Sequence, residues 1–178
     1  MRRITYSMRF HRPAKVASKA ASKAASKTAR KATAAQASGD ASWPPAGWSA
    51  PEQASLIGLT VIEDTGGPKA KPFVKSVGAA TFENTVLIFD STADMSSGSF
   101  LESCQLRGAG GTYSFASTVP GTFRPIPKGE LMQPGSVIWQ ISGGTGDFEG
   151  ATGTITSNFL FSPSGELVDN HLGILYLP

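Results

Sequence analysis

SVIWQISGGTGDFEGATGTITSNFLFSPSGELVDNHLGILYL, residues 136–177, carries the fold assignment. Its β-branched and aromatic runs, at 136–142, 151–162 and 165–177, are separated by clusters of Gly, Ser and Pro, the pattern of strands joined by tight turns. PSG at 163–165 reads as a hairpin turn, because Gly165 takes a positive φ without steric penalty. The segment 141–153, ISGGTGDFEGATG, does not suit a nucleotide loop. The third glycine of a dinucleotide fingerprint is out of place, no Walker lysine is present, and β-branched TIT follows where a helix would have to start. It reads instead as a tight turn, with Gly143, Gly144 and Gly146 in special backbone angles and Gly150 and Gly153 letting the next strand bend at a barrel corner.

The same pattern continues toward the N-terminus, with strands expected at 55–63, 77–90, 98–107, 111–119 and 121–126. No window carries an apolar stripe at i, i+3, i+4, i+7, so the body is all-β. Eight short strands with short turns predict an eight-stranded antiparallel up-and-down barrel, which removes exposed edges and leaves room for one small ligand. A β-sandwich is the structural rival.

The 178 residues are 40% hydrophobic and 16% charged, enough for one domain with a tail. Ten of the 16 basic residues and none of the 13 acidic ones lie in 1–39, leaving the body at −7. The basic character therefore belongs to the tail, and no nucleic acid is expected to bind the barrel. No apolar run approaches the ~18 residues of a membrane span. The single Cys104 excludes an intramolecular disulfide and a thiolate zinc site, and His11 and His171 form no ligand cluster. No G-x-S-x-G elbow occurs, so hydrolase, metal and cofactor chemistry are not expected.

Residues 1–40 read as a basic tail, with S-K-A-A repeats placing Lys19, Lys23 and Lys27 four apart and no apolar face opposite them. Such a segment is expected to be disordered. Its Arg-rich, acid-free start fits a cleavable transit peptide to plastid or mitochondrion; otherwise the chain would be cytoplasmic, its tail touching anionic surfaces or simply solvated. Residues 41–54, with Trp43 and Trp48, read as a linker, and 55–178 as the barrel domain.

GGTGDFEGATG resembles the GG(S/T/A)G-x-F-E-G-A-x-G segment of allene oxide cyclases and, more loosely, the GGTG-x-F motif of dirigent proteins. TYSF at 112–115 matches the strand that precedes this motif in that family, VIE at 61–63 running to Pro68 resembles its first strand and loop, and Phe82-Glu83-Asn84 resembles its F-T-N. The resemblance implies a calycin-type barrel assembled as trimers or dimers. It also implies a cofactor-free isomerase that cyclises a hydrophobic, intrinsically reactive oxylipin. The alternative is a dirigent- or lipocalin-like barrel that binds or orients a hydrophobic ligand without catalysis.

By the same matches, Glu63 would stabilise developing positive charge, while Asn84, with Pro68, would hold a water against the substrate oxygen. Phe82 and Tyr113 would line the cavity. Glu102 occupies the place of a family cavity cysteine, and Cys104, two positions on, shares its strand face. Asp169 and His171 also lie two apart, hence on one face, and form a conceivable second acid–base pair.

Overall fold

A computed structural model of the chain describes residues 1–14, 52–64, 80–94, 97–126 and 131–178, with the side chains of 63, 64 and 94 left aside. Period-two alternation builds nine strands among these residues. They are β1 (Arg2–Arg12), β2 (Glu52–Asp64), β3 (Val86–Asp94), β4 (Ser99–Gly108), β5 (Gly111–Ser117), β6 (Gly121–Phe123), β7 (Gln133–Gly146), β8 (Thr152–Phe161) and β9 (Leu167–Leu177). The ring runs β1-β2-β3-β4-β5-β7-β8-β9 and returns to β1 through antiparallel pairs. It is the expected closed eight-stranded antiparallel barrel. The short β6 continues past the end of β5, bridging β4 and β7.

The expected tail of residues 1–40 needs correction at its start. Arg2–Arg12 is a full barrel strand, pairing with β2 on one side and β9 on the other. Its sequence RRITYSMRFHR alternates in period two, sending Ile4, Tyr6, Met8, Phe10 and Arg12 inward and leaving Arg3 and Arg9 exposed. The arginines lend this strand a tail-like composition, while the alternation is that of a half-buried strand. Cleavage of residues 1–40 as a transit peptide would remove a stave of the barrel. The S-K-A-A repeats, residues 41–51 of the linker with Trp43 and Trp48, and Pro68 lie outside the described residues. Among the described residues no helix is long and apolar enough to cross a membrane.

The expected strand at 77–90 begins only at Val86. Residues 80–84 form a helical turn instead, ending at Asn84 with φ 54°, a left-handed conformation that Asn tolerates better than most residues. The Thr85 hydroxyl ties the turn down by bonding to the Phe82 carbonyl.

This turn drives Phe82 into one end of the barrel. There it meets Tyr6 at 5.7 Å, Phe148 at 5.3 Å and Tyr113 at 6.5 Å between ring centroids. Phe148 comes from the glycine segment, whose turn at 147–150 is held by Asp147 N–H donating to Gly110 O at 2.8 Å. Gly153, expected to bend the following strand, has φ 144°, and a Cβ there would run into the Ile174 carbonyl. The other end is bounded by Arg12, whose Nε donates to Gly165 O at 2.8 Å and whose Nη1 pairs with Glu52 at 2.7 Å. Its guanidinium lies over Phe89 and Phe161. The hairpin turn expected at PSG is present, with Gly165 N–H donating to Ser162 O.

Ile4, Tyr6, Met8 and Phe10 are all buried, at about 1.5–3 kcal/mol apiece. Together they amount to much of the ~5–15 kcal/mol that stabilises a typical domain. A chain lacking residues 1–12 is therefore expected to lose the cooperative thermal transition seen by circular dichroism. An unchanged melt would return this segment to a dispensable tail.

Candidate functional site

The apolar barrel interior contains one belt of polar side chains. On β4, alternation turns Phe100, Glu102, Cys104 and Leu106 inward, and on β9 it does the same for Asp169 and His171. Cross-strand register then supplies partners: Ser91 of β3 faces Glu102, and Ser157 of β8 faces His171. The Ser91 hydroxyl donates to Glu102 Oε1 at 2.5 Å, and Ser157 donates to Asp169 Oδ1 at 2.5 Å. His171 Nε2 lies 2.9 Å from the other Asp169 oxygen, Oδ2.

His171 is enclosed completely, with its side chain 0% exposed and that of Asp169 only 6%. Phe10 and Trp139 pack on its ring at 4.8 and 4.9 Å, with Phe115 edge-on at 6.3 Å. Its Nδ1 has no hydrogen-bond partner. An imidazolium would bury an unpaired N–H there, at a cost of about 1–3 kcal/mol. The ring therefore meets Asp169 through Nε2, and its Nδ1 faces no hydrogen-bonding group.

The Glu102 carboxyl is pushed up to about 7, first by burial and then by the Asp169 charge. Ser91, the Cys104 thiol and the Trp139 indole N–H pull it the other way. Burial and the same two carboxyls push the Cys104 thiol well above its usual range, so it is not a nucleophile at neutral pH.

Glu102 is hemmed in by protein but not close-packed. It keeps part of its surface open, and so do Ser91, Ala93, Ser117, Phe123 and Phe159, all turned inward by register. These half-buried positions cluster toward the Arg12 end of the barrel, while Cys104 and Trp139, deeper in, are buried. The rings of Phe100 and Phe159 meet edge to face at this end, 5.6 Å apart.

Of the residues expected from sequence, Glu102 and Cys104 belong to this belt, as does the Asp169–His171 pair. Phe82 and Tyr113 are inside the barrel but belong to the aromatic plug at the opposite end, where the Tyr113 hydroxyl donates to Tyr6 Oη at 2.9 Å. Asn84 is exposed, on the wall of an open recess of about 400 Å³ lined by Leu56, Leu59 and Phe82, and the structure does not bring it to the belt. The Glu63 backbone pairs with Ile4 near the end of β2; its side chain and Pro68 fall outside the described residues. Ser91, Ser157 and Trp139 escaped the sequence reading. Trp139 lay in an expected strand, while the serines become partners only through cross-strand register.

No protein-family model, curated protein or solved structure matches this chain. The belt must therefore be interpreted on its own chemistry.

Below about pH 4.5 Glu102 is protonated in both folded and unfolded chains, and above about 7 it is ionised in both. Between these values only the unfolded chain loses the proton, so the folded state loses stability as pH rises, by up to about 3 kcal/mol in total. Glu102→Gln should match wild type near pH 4 and exceed it near pH 8 by an amount of that order, measured by urea denaturation. A constant difference across pH would mean that Glu102 titrates normally.

Proposed function

We propose that this barrel is a cofactor-independent isomerase that folds a hydrophobic, intrinsically reactive small molecule into one conformer and directs its cyclisation, with Glu102 as proton donor. The observation that carries the reading is the Glu102 carboxyl, turned inward on the same β4 face as Phe100, only half-buried, and pushed up to about 7 by burial. Proximity and shape supply most of the effect, since confining a reactive chain in one near-attack conformer needs no further chemistry. The Glu102 O–H then donates its proton to the substrate oxygen as the C–O bond opens. The resulting carboxylate stabilises the adjacent carbocation in a medium of low dielectric, and the proton returns to Glu102 when that oxygen becomes a carbonyl. Asp169, held by Ser157 and His171, keeps Glu102 protonated and is a positioning residue.

The glycine segment and TYSF support an allene oxide as substrate, by their resemblance to the cyclase family. The role that resemblance gave to Asn84 passes here to Glu102, because Asn84 is exposed on a turn. Assembly as dimers or trimers belongs to the same proposal. It is supported by the outward faces of β7, β8 and β9, which carry Ile138, Leu160 and Leu172 exposed and no charged side chain. Light scattering should give a multiple of the chain mass that falls to one chain in Leu172→Glu; a monomeric wild type would contradict assembly.

The activity is tested by generating an allene oxide from a fatty-acid hydroperoxide in the presence of the full chain and resolving the cyclopentenone by chiral chromatography. Wild type should give a clear enantiomeric excess, and Glu102→Gln should lower the rate of directed cyclisation about 100-fold or more, leaving racemic product. Racemic product with wild type would exclude this substrate and favour a barrel that only binds. An excess unchanged in Glu102→Gln would leave shape as the sole agent.

A further inference from the structure

Two glycines at the Arg12 end sit opposite aromatic residues in the sheet. Gly135 on β7 pairs with Phe159 on β8, and Gly121 on β6 pairs with Phe100 on β4. A Cβ at Gly135 would run into the far edge of the Phe159 ring, and one at Gly121 into the far edge of the Phe100 ring. Each ring therefore leans across the bare backbone of the neighbouring strand, against the barrel wall. Neither glycine has a positive φ, so the backbone would accept a larger residue at both positions. It is the ring that needs the glycine. At the opposite end Tyr6 leans on Gly173 in the same way, but there Phe82 and Phe148 fill the bore beside it. At the Arg12 end the inward neighbours on β3 and β5 are small: Ser91, Ala93 and Ser117 are half-buried, as is Glu102. Open surface on a side chain that faces into a hydrogen-bonded ring of strands is reached along the bore, and the way to Glu102 runs past Phe100 and Phe159.

We propose that Gly121 and Gly135 determine specificity at this site: by letting Phe100 and Phe159 lean against the wall, they keep the bore wide enough for a slim apolar molecule to reach Glu102 and too narrow for a bulky one. This rests on the proposed function for the role of Glu102 as proton donor, whereas the width of the bore belongs to the wall alone. A methyl group at either glycine would push its ring off the wall and into the path.

The test treats the full chain with two apolar carbodiimides, one with unbranched propyl arms and one with cyclohexyl arms. Either reagent adds to a protonated carboxyl and stays on it, after acyl transfer, as an N-acylurea, which peptide mass spectrometry reads at each glutamate. Labelling of the exposed Glu149 in the same sample corrects for the intrinsic reactivity of each reagent. On that scale Glu102 should favour the propyl over the cyclohexyl reagent about tenfold or more. Gly135→Ala should lower propyl labelling of Glu102 about tenfold and leave Glu149 unchanged. Phe159→Ala should admit the cyclohexyl reagent, and combined with Gly135→Ala it should restore propyl labelling. Should Gly135→Ala fail to fold, the cyclohexyl labelling of Phe159→Ala decides.

Equal labelling of Glu102 by both reagents, propyl labelling untouched by Gly135→Ala in a folded chain, a loss that persists when Phe159→Ala is added, or a cyclohexyl reagent still excluded from Phe159→Ala would each overturn the inference and leave the proposed function to the cyclisation assay. The expected labelling together with racemic cyclopentenone would uphold the bore and remove the proposed reaction. No labelling of Glu102 by either reagent would overturn both, since no molecule would then reach that carboxyl.

Discussion

The barrel depends on β1 hydrogen-bonding to both of its neighbours. With β2 on one side and β9 on the other, this strand closes the ring and removes the edges that a sheet of the remaining strands would expose. The electrostatics of the interior follow from that closure. Met8 lies opposite His171 in the register, and Phe10 packs on the imidazole at 4.8 Å. Water is thereby kept from the Asp169–His171 pair, and the low dielectric that raises the Glu102 carboxyl is maintained. Loss of β1 would be felt first as loss of the fold and, at the site, as a carboxyl returning to its ordinary range.

The polar belt works against stability. Two carboxyls and an imidazole inside an apolar barrel carry a desolvation cost, offset by a serine donor to each acidic group and by the contact of His171 Nε2 with Asp169. An apolar belt would fold more securely. What the polar one supplies is a carboxyl pushed up to about 7 inside the barrel, the property on which the proposed proton transfer rests. The two ends of the barrel divide the labour: aromatic rings from Tyr6, Phe82, Tyr113 and Phe148 fill one, and the half-buried positions lie toward the other.

The alternation of β2, β4, β5 and β7 to β9, and the turns at the glycine segment and PSG, were legible because side-chain period and turn chemistry are local properties. So was the shared face of Glu102 with Cys104 and of Asp169 with His171, which needs only the period of two. β1 was hidden by its composition: its arginines and the S-K-A-A run behind it outweighed the alternation of Ile4, Tyr6, Met8 and Phe10. The strand drawn through 77–90 failed because Phe82 is apolar for a different reason, as a plug carried by a turn that ends at a left-handed Asn84. Which serine meets which carboxyl could not be read at all. Cross-strand register depends on how the ring closes, and no single strand encodes that.

The central claim is that barrel closure pushes the Glu102 carboxyl up to about 7, through burial first and the Asp169 carboxylate second. ¹³C NMR of carboxyl-labelled glutamates, followed over pH in the full chain, tests it most directly. One glutamate should titrate near 7, and in Asp169→Asn its midpoint should move down while remaining above the ordinary range, because burial persists. If every glutamate titrates near 4.5, or if Asp169→Asn leaves the high midpoint in place, the account of this site is contradicted.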